Sequence, residues 1–140
     1  MTKRRTRTAD CEPHDARERL RHAKAYLEVA QLLDDQSGID VWPVVAAGCA
    51  VLAGIAATDA ICCTRINRHH RGDDHSQAAR LLAEAVPGDE GRQLSNTLTR
   101  ILALKDKSHY GLSGASANDA RQLVRNASTL VDFASSDVTR

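Results

Sequence analysis

Two short stretches of this chain concentrate the residue types that move protons and hold anions. One is Arg68-His69-His70-Arg71-Gly72-Asp73-Asp74-His75, and the other is Lys105-Asp106-Lys107-Ser108-His109-Tyr110. Together they carry four of the six histidines. Imidazole titrates near neutral pH, so it can act as general acid or base, and a flanking carboxylate can select its tautomer. Guanidinium and ammonium groups hold phosphate oxygens, the first as a planar fork and the second as a point charge. If the two stretches converge, they form one cationic recess. In it Arg71 or Lys105 holds a phosphate, His75 or His109 moves a proton, and Asp73 or Asp74 orients the imidazole. Arg68 adds a binding cation, and Tyr110 packs its ring while leaving its hydroxyl at the rim.

Each stretch also has a purely local explanation. Cations are favoured at the negative end of a helix, which accounts for Arg65, Arg68, Lys105 and Lys107 without any ligand. Asp73 or Asp74 is a natural N-cap for the helix that follows. Asp59 lies on a helical face with Leu52, Ile55 and Cys62. A buried carboxylate needs a partner, and Lys105 or Arg71 is the expected one. Zinc is not expected: adjacent Cys62-Cys63 and His69-His70 lack the usual ligand spacing. The chain contains no phosphate-cradling glycine loop, no Gly-x-Ser-x-Gly and no Cys-x-x-Cys.

The elements that must position these residues read as helices. Leu20, Ala23, Leu27, Ala30 and Leu33 step at helical spacing from His14 to about Asp34. Ser37-Gly38 marks a loop. Trp42-Pro43 opens a helix to about Asn67 that is apolar on every side, and so is expected at the centre. A short helix from His75 to Val86 stops at Pro87-Gly88, and another runs from Glu90 to about Lys107. Gly111 and Gly114 punctuate the next loop. Ser116-Ala117-Asn118-Asp119 resembles a capping box ahead of a stripe of Ala120, Leu123, Val124, Ala127, Leu130, Val131 and Ala134. The expected fold is an all-α antiparallel bundle of about five helices without strands. A disordered basic tail should cover 1–13 and a single domain 14–136.

Bulk properties narrow the classes. At 140 residues the chain suits one domain that needs no staple. A net charge of +1 argues against wholesale electrostatic capture of nucleic acid, although Lys3, Arg4, Arg5 and Arg7 make the start basic. Aromatics are 3% of the chain, too few for base-stacking platforms. The apolar run from Val44 to Ala57 is shorter than the roughly 20 residues a bilayer requires. No signal peptide is read, so a cytoplasmic protein is expected. Cys49, Cys62 and Cys63 share one helix and cannot readily pair with one another, so reduced, buried thiols are expected.

The long helix, the short helix and the fourth helix ending in Leu102-Ala103-Leu104-Lys105-Asp106-Lys107-Ser108-His109-Tyr110 resemble the HEPN superfamily. Asp59-Ala60-Ile61-Cys62 and Arg71-Gly72-Asp73-Asp74-His75 add to the likeness, which covers roughly 14–135 and is closest to small stand-alone bacterial members. The resemblance implies a helical bundle that often forms a homodimer. Many members are metal-independent endoribonucleases of toxin–antitoxin or defence systems, in which an Arg-x4–6-His motif acts on RNA. Others bind nucleotides or partner an antitoxin or a nucleotidyltransferase. His109 occupies the place of the motif histidine, but Lys105 stands four residues before it where the motif carries arginine. Arg65–His70 and Arg68–His75 match the spacing at a different place in the chain. The resemblance thus implies binding of nucleotide or RNA phosphate, with ribonuclease chemistry, a non-catalytic interaction module or a small-molecule regulator as alternatives. No cofactor, metal or membrane is implied.

Overall fold

The computed structural model describes residues 7–34, 42–72, 74–110 and 115–139, with 106–110 as backbone alone. The described elements run in the order β1 (Thr8–Asp10), α1 (Pro13–Asp34), α2 (Trp42–Ile66), β2 (Arg68–His70), α3 (Ser76–Ala85), α4 (Asp89–Tyr110) and α5 (Ala117–Val138). The protein is predominantly helical, as an all-α bundle requires.

α2 takes the central place that its composition dictates. It packs against α1, α3, α4 and α5, and Ala46, Ala47, Ala50, Ala53, Ala56, Ala57 and Ala60 are buried along it. Small side chains let neighbouring backbones come close, and Gly54 sets one crossing. A Cβ there would lie 3.0 Å from Ile101 Cδ1 and 3.6 Å from Leu130 Cδ1. Ile61, Leu82, Leu98, Ile101, Leu123 and Leu130 fill the space between the helices. α2 is long and apolar enough to cross a membrane by length and composition, yet 67% of its most apolar window is buried inside the bundle. Val44, Val45 and Leu52 remain exposed on its open side.

The stripe expected for α5 is buried in full, from Ala120 to Ala134. Its capping box is also present: the Asp119 amide donates to Ser116 Oγ at 3.0 Å, and the Ser116 amide donates to Asp119 Oδ2 at 3.3 Å. The start of α3 differs from expectation. His75 occupies the N-cap without a side-chain cap, while Asp74 Oδ1 accepts from the Ser76 amide at 3.1 Å. Asp73, the loop around Ser37-Gly38 and the Gly111–Gly114 segment lie outside the described residues.

Two expectations are corrected. The region assigned to a disordered tail contains β1, which pairs antiparallel with β2, Thr8 opposite His70, Ala9 opposite His69 and Asp10 opposite Arg68. Three-residue strands are too short to show a period-2 pattern. The turn that creates β2 is Asn67, whose φ of 56° ends α2 in the left-handed region asparagine tolerates. The second correction concerns the cysteines. Cys11 and Cys63 form a disulfide across a sequence separation of 52, leaving Cys49 and Cys62 free. The partner of Cys63 comes from the segment read as tail, and β1 brings it there.

Candidate active site: a histidine cavity over a buried ion pair

Asp59 is the anchor. Its place on α2 faces inward, and it is only 9% exposed. The sequence suggested Lys105 or Arg71 as its partner; the structure supplies Arg19 of α1. Arg19 Nη2 and Nε both donate to Asp59 Oδ2, at 2.8 and 3.1 Å. The other oxygen, Oδ1, stands 4.0 Å from His69 Nδ1. That nitrogen also lies 2.9 Å from the His70 carbonyl. A carbonyl can only accept, so Nδ1 carries the proton.

Burial raises the Asp59 carboxyl above its ordinary range, while the Arg19 guanidinium, by charge and hydrogen bonding, and then His69 and His70 pull the other way. Desolvation prevails because the carboxylate is nearly enclosed and Arg19 reaches it from a side chain still 32% exposed. The consequence for stability has a definite sign. A carboxyl raised on folding binds its proton more tightly in the native state. Its contribution is therefore fully present below the unfolded value of about 3.9 and is lost as pH climbs through the raised native value. Arg19→Ala should push that native value higher still. We expect it to cost little near pH 4 and about 2 kcal/mol near pH 7, a figure discounted from the fully buried case for Arg19's exposure. Urea unfolding between pH 4 and 8 measures this, and an equal loss at both ends would refute it.

Above Asp59 lies a cavity of about 50 Å³ lined by Ile55, Thr58, Asp59, His70, Gly72, His75, Ala78, Leu98 and Leu102. That volume accommodates a few waters or one small polar group. The rings of His70 and His75 meet edge to face, with centroids 6.0 Å apart. Both ring nitrogens of His70 are buried without a hydrogen-bond partner. Apolar walls from α4 and the positive φ of Gly72, 128°, bring the chain around this space.

The sequence-derived site residues divide accordingly. Asp59 and His75 line the same cavity. Arg71 is exposed beside it, its amide donating to the Arg7 carbonyl at 2.8 Å. Arg68 turns instead to Glu84 of α3, 2.7 Å away. Lys105 is half-buried on α4 and is not among the lining residues. It does continue the row of Leu98 and Leu102, which line the cavity. Asp73, and the side chains of His109 and Tyr110, lie outside the described residues.

His70 and Arg19 went unnoticed as site residues. The one signal for His70 was its spacing from Arg65, since a strand of three residues shows no alternation. Arg19, at a sequence separation of 40 from its partner, gives no local signal. Cys62 is also near, but burial, with Asp59 adding to it, pushes its thiol up to about 12, which makes it a poor nucleophile. Among the described residues, no group of three or more His, Cys, Asp or Glu side chains is arranged to hold a metal ion. Compared with known proteins, the chain matches no family model, no curated protein and no solved structure.

Proposed function

We propose that this chain binds the phosphate of RNA or of a nucleotide at the mouth of the histidine cavity, and that it cleaves RNA as a metal-independent, HEPN-like endoribonuclease of toxin–antitoxin or defence type in the cytoplasm. The observation that carries this reading is the edge-to-face pair of His70 and His75 at one cavity backed by the Asp59–Arg19 pair. Cleavage by an RNA 2′-hydroxyl needs one group to take its proton and another to protonate the departing 5′-oxygen. Two neighbouring imidazoles meet that need. Arg71, exposed at the edge, is suited to the phosphate oxygens. Lys105 continues the row of Leu98 and Leu102 along α4 and adds a second cation for phosphate.

The test is cleavage of a fluorescent RNA oligonucleotide in the presence of a chelator. Wild-type protein should cut it, and His75→Ala or His70→Ala should slow cutting by at least about 100-fold. Cleavage that survives both substitutions, or no cleavage at all, overturns the enzymatic reading.

The exposed Val44, Val45 and Leu52 on α2 favour a second, non-catalytic reading. An interaction module would pair through this stripe with a second copy, or with an antitoxin or nucleotidyltransferase partner. Light scattering of Leu52→Glu protein separates the two cases, since only a stripe-mediated homodimer would dissociate.

A further inference from the structure

The N-terminal segment is attached at three points along and beside β2, the strand that carries His70 of the cavity. The Arg71 amide donates to the Arg7 carbonyl at 2.8 Å, and the Cys11 amide donates to the Asn67 carbonyl at 2.9 Å. Between them β1 pairs with β2 residue for residue. The Cys11–Cys63 disulfide closes the base of this strap onto α2. Arg7 also packs against Gly72, a cavity-lining residue: a Cβ at Gly72 would sit 3.6 Å from Arg7 Cδ. Among the described residues, the backbone pairing along β2 therefore comes from residues 7–11, while the Arg68 side chain also reaches Glu84 of α3. A three-residue strand has little cohesion of its own. The covalent bond is what makes the attachment durable.

We infer that the Cys11–Cys63 disulfide is a thiol-exchange site whose reduction by a dithiol releases β1 and loosens the histidine wall of the cavity. One reductant thiolate attacks the Cys11 sulfur when β1 frays, forming a mixed disulfide and expelling Cys63 as a thiolate. The reductant's second thiol then closes its own disulfide and expels Cys11. Two electrons pass to the protein, and two protons end on Cys11 and Cys63. The neighbouring Cys62 does not divert the exchange. It is buried in the main core while Cys63 faces the smaller cluster with Cys11 and Ala16, and its thiol is pushed up to about 12. The bond is thus joined or open, with no internal reshuffling to a third state.

This inference concerns the cavity named above but does not require RNA chemistry, because its readouts are chemical accessibility. Hydrogen exchange and carbethoxylation of histidine by diethyl pyrocarbonate are measured on oxidised protein, on dithiothreitol-reduced and desalted protein, and on Cys11→Ser. In the reduced and Cys11→Ser forms, the Cys11-position and Arg71 amides should exchange at least about tenfold faster than the α5 amides of the same protein, and His70 should be modified faster than in oxidised protein. Ala9→Pro disrupts the strand with the disulfide intact and should give the same loosening of β2 in oxidised protein. Four free thiols in non-reduced protein, unchanged protection of β2 on reduction or in Ala9→Pro, or α5 amides that exchange as fast as those of β2 would each overturn the inference. Failure of the RNA assay alone leaves it standing.

Discussion

Opening the Cys11–Cys63 bond, by reductant or by Cys11→Ser, is expected to lower global stability by about 4 kcal/mol, close to a thousandfold in the folding constant. The magnitude follows from the chain length enclosed. The two cysteines are 52 apart in sequence, and cross-linking them removes the freedom of that whole segment from the unfolded ensemble. The enclosed segment includes α1 and nearly all of α2, the two helices that build much of the core with α5. For a domain of this size the loss corresponds to roughly 10–15 °C in Tm. Denaturant titration with and without dithiothreitol measures it. Cys62→Ala is the control, removing a buried sulfur and no cross-link, and it should respond to reductant as the wild type does. A midpoint that reductant does not move would refute the disulfide's role.

Gly91→Ala is expected to cost about 3 kcal/mol or more, the upper end for forcing atoms into a packed interior. Gly91 is buried in the first turn of α4. A Cβ there would overlap the Val86 carbonyl oxygen and lie 2.6 Å from the Val86 carbonyl carbon. Those atoms are backbone, so no rotamer change relieves the clash. Val86 is the C-cap of α3, held by its amide on the Leu82 carbonyl, and the link onward passes through Gly88 with φ of 87°. Relief would need the α3–α4 corner to open. Because α3 and α4 both contribute walls to the histidine cavity, through Ala78, Leu98 and Leu102, the damage should reach the site as well. Gly48→Ala is the opposite case. A Cβ at Gly48 meets nothing within 4 Å, so alanine should stabilise the helix by roughly 0.5–1 kcal/mol. Chemical denaturation of the two variants side by side decides the matter, and equal midpoints would show that the α3–α4 corner yields more easily than its geometry implies.

Much of the helical body was legible because its signals are local and repeated. Each buried residue of α5 recurs at a step of three or four, and Ser116 and Asp119 cap it within one turn. α2 announced its central place by being apolar all round. The candidate site was legible only in part. Asp59 and His75 were chosen for their chemistry, and the structure places both at one cavity. The partner of Asp59 was misassigned because the nearest cations in the motif-rich stretches drew attention, whereas Arg19 reaches it from α1. Arg65 tells the same story. Its position explained it as a cation at a helix end, but its guanidinium grips the buried Asp137 carboxylate at 2.8–3.1 Å. β1 and β2 were missed because three residues cannot establish a strand's alternation.

The amino-acid pattern alone determined which segments are helical, which faces of them are apolar, and that the longest one must be surrounded. These properties depend on residues within a turn or two of one another. Tertiary structure alone decided that Arg19 rather than Lys105 neutralises Asp59, that Cys11 returns to Cys63, and that His70 turns against His75. Such pairings join residues far apart in the chain, and their geometry exists only after helices have packed, because helix packing, not sequence proximity, sets which side chains meet.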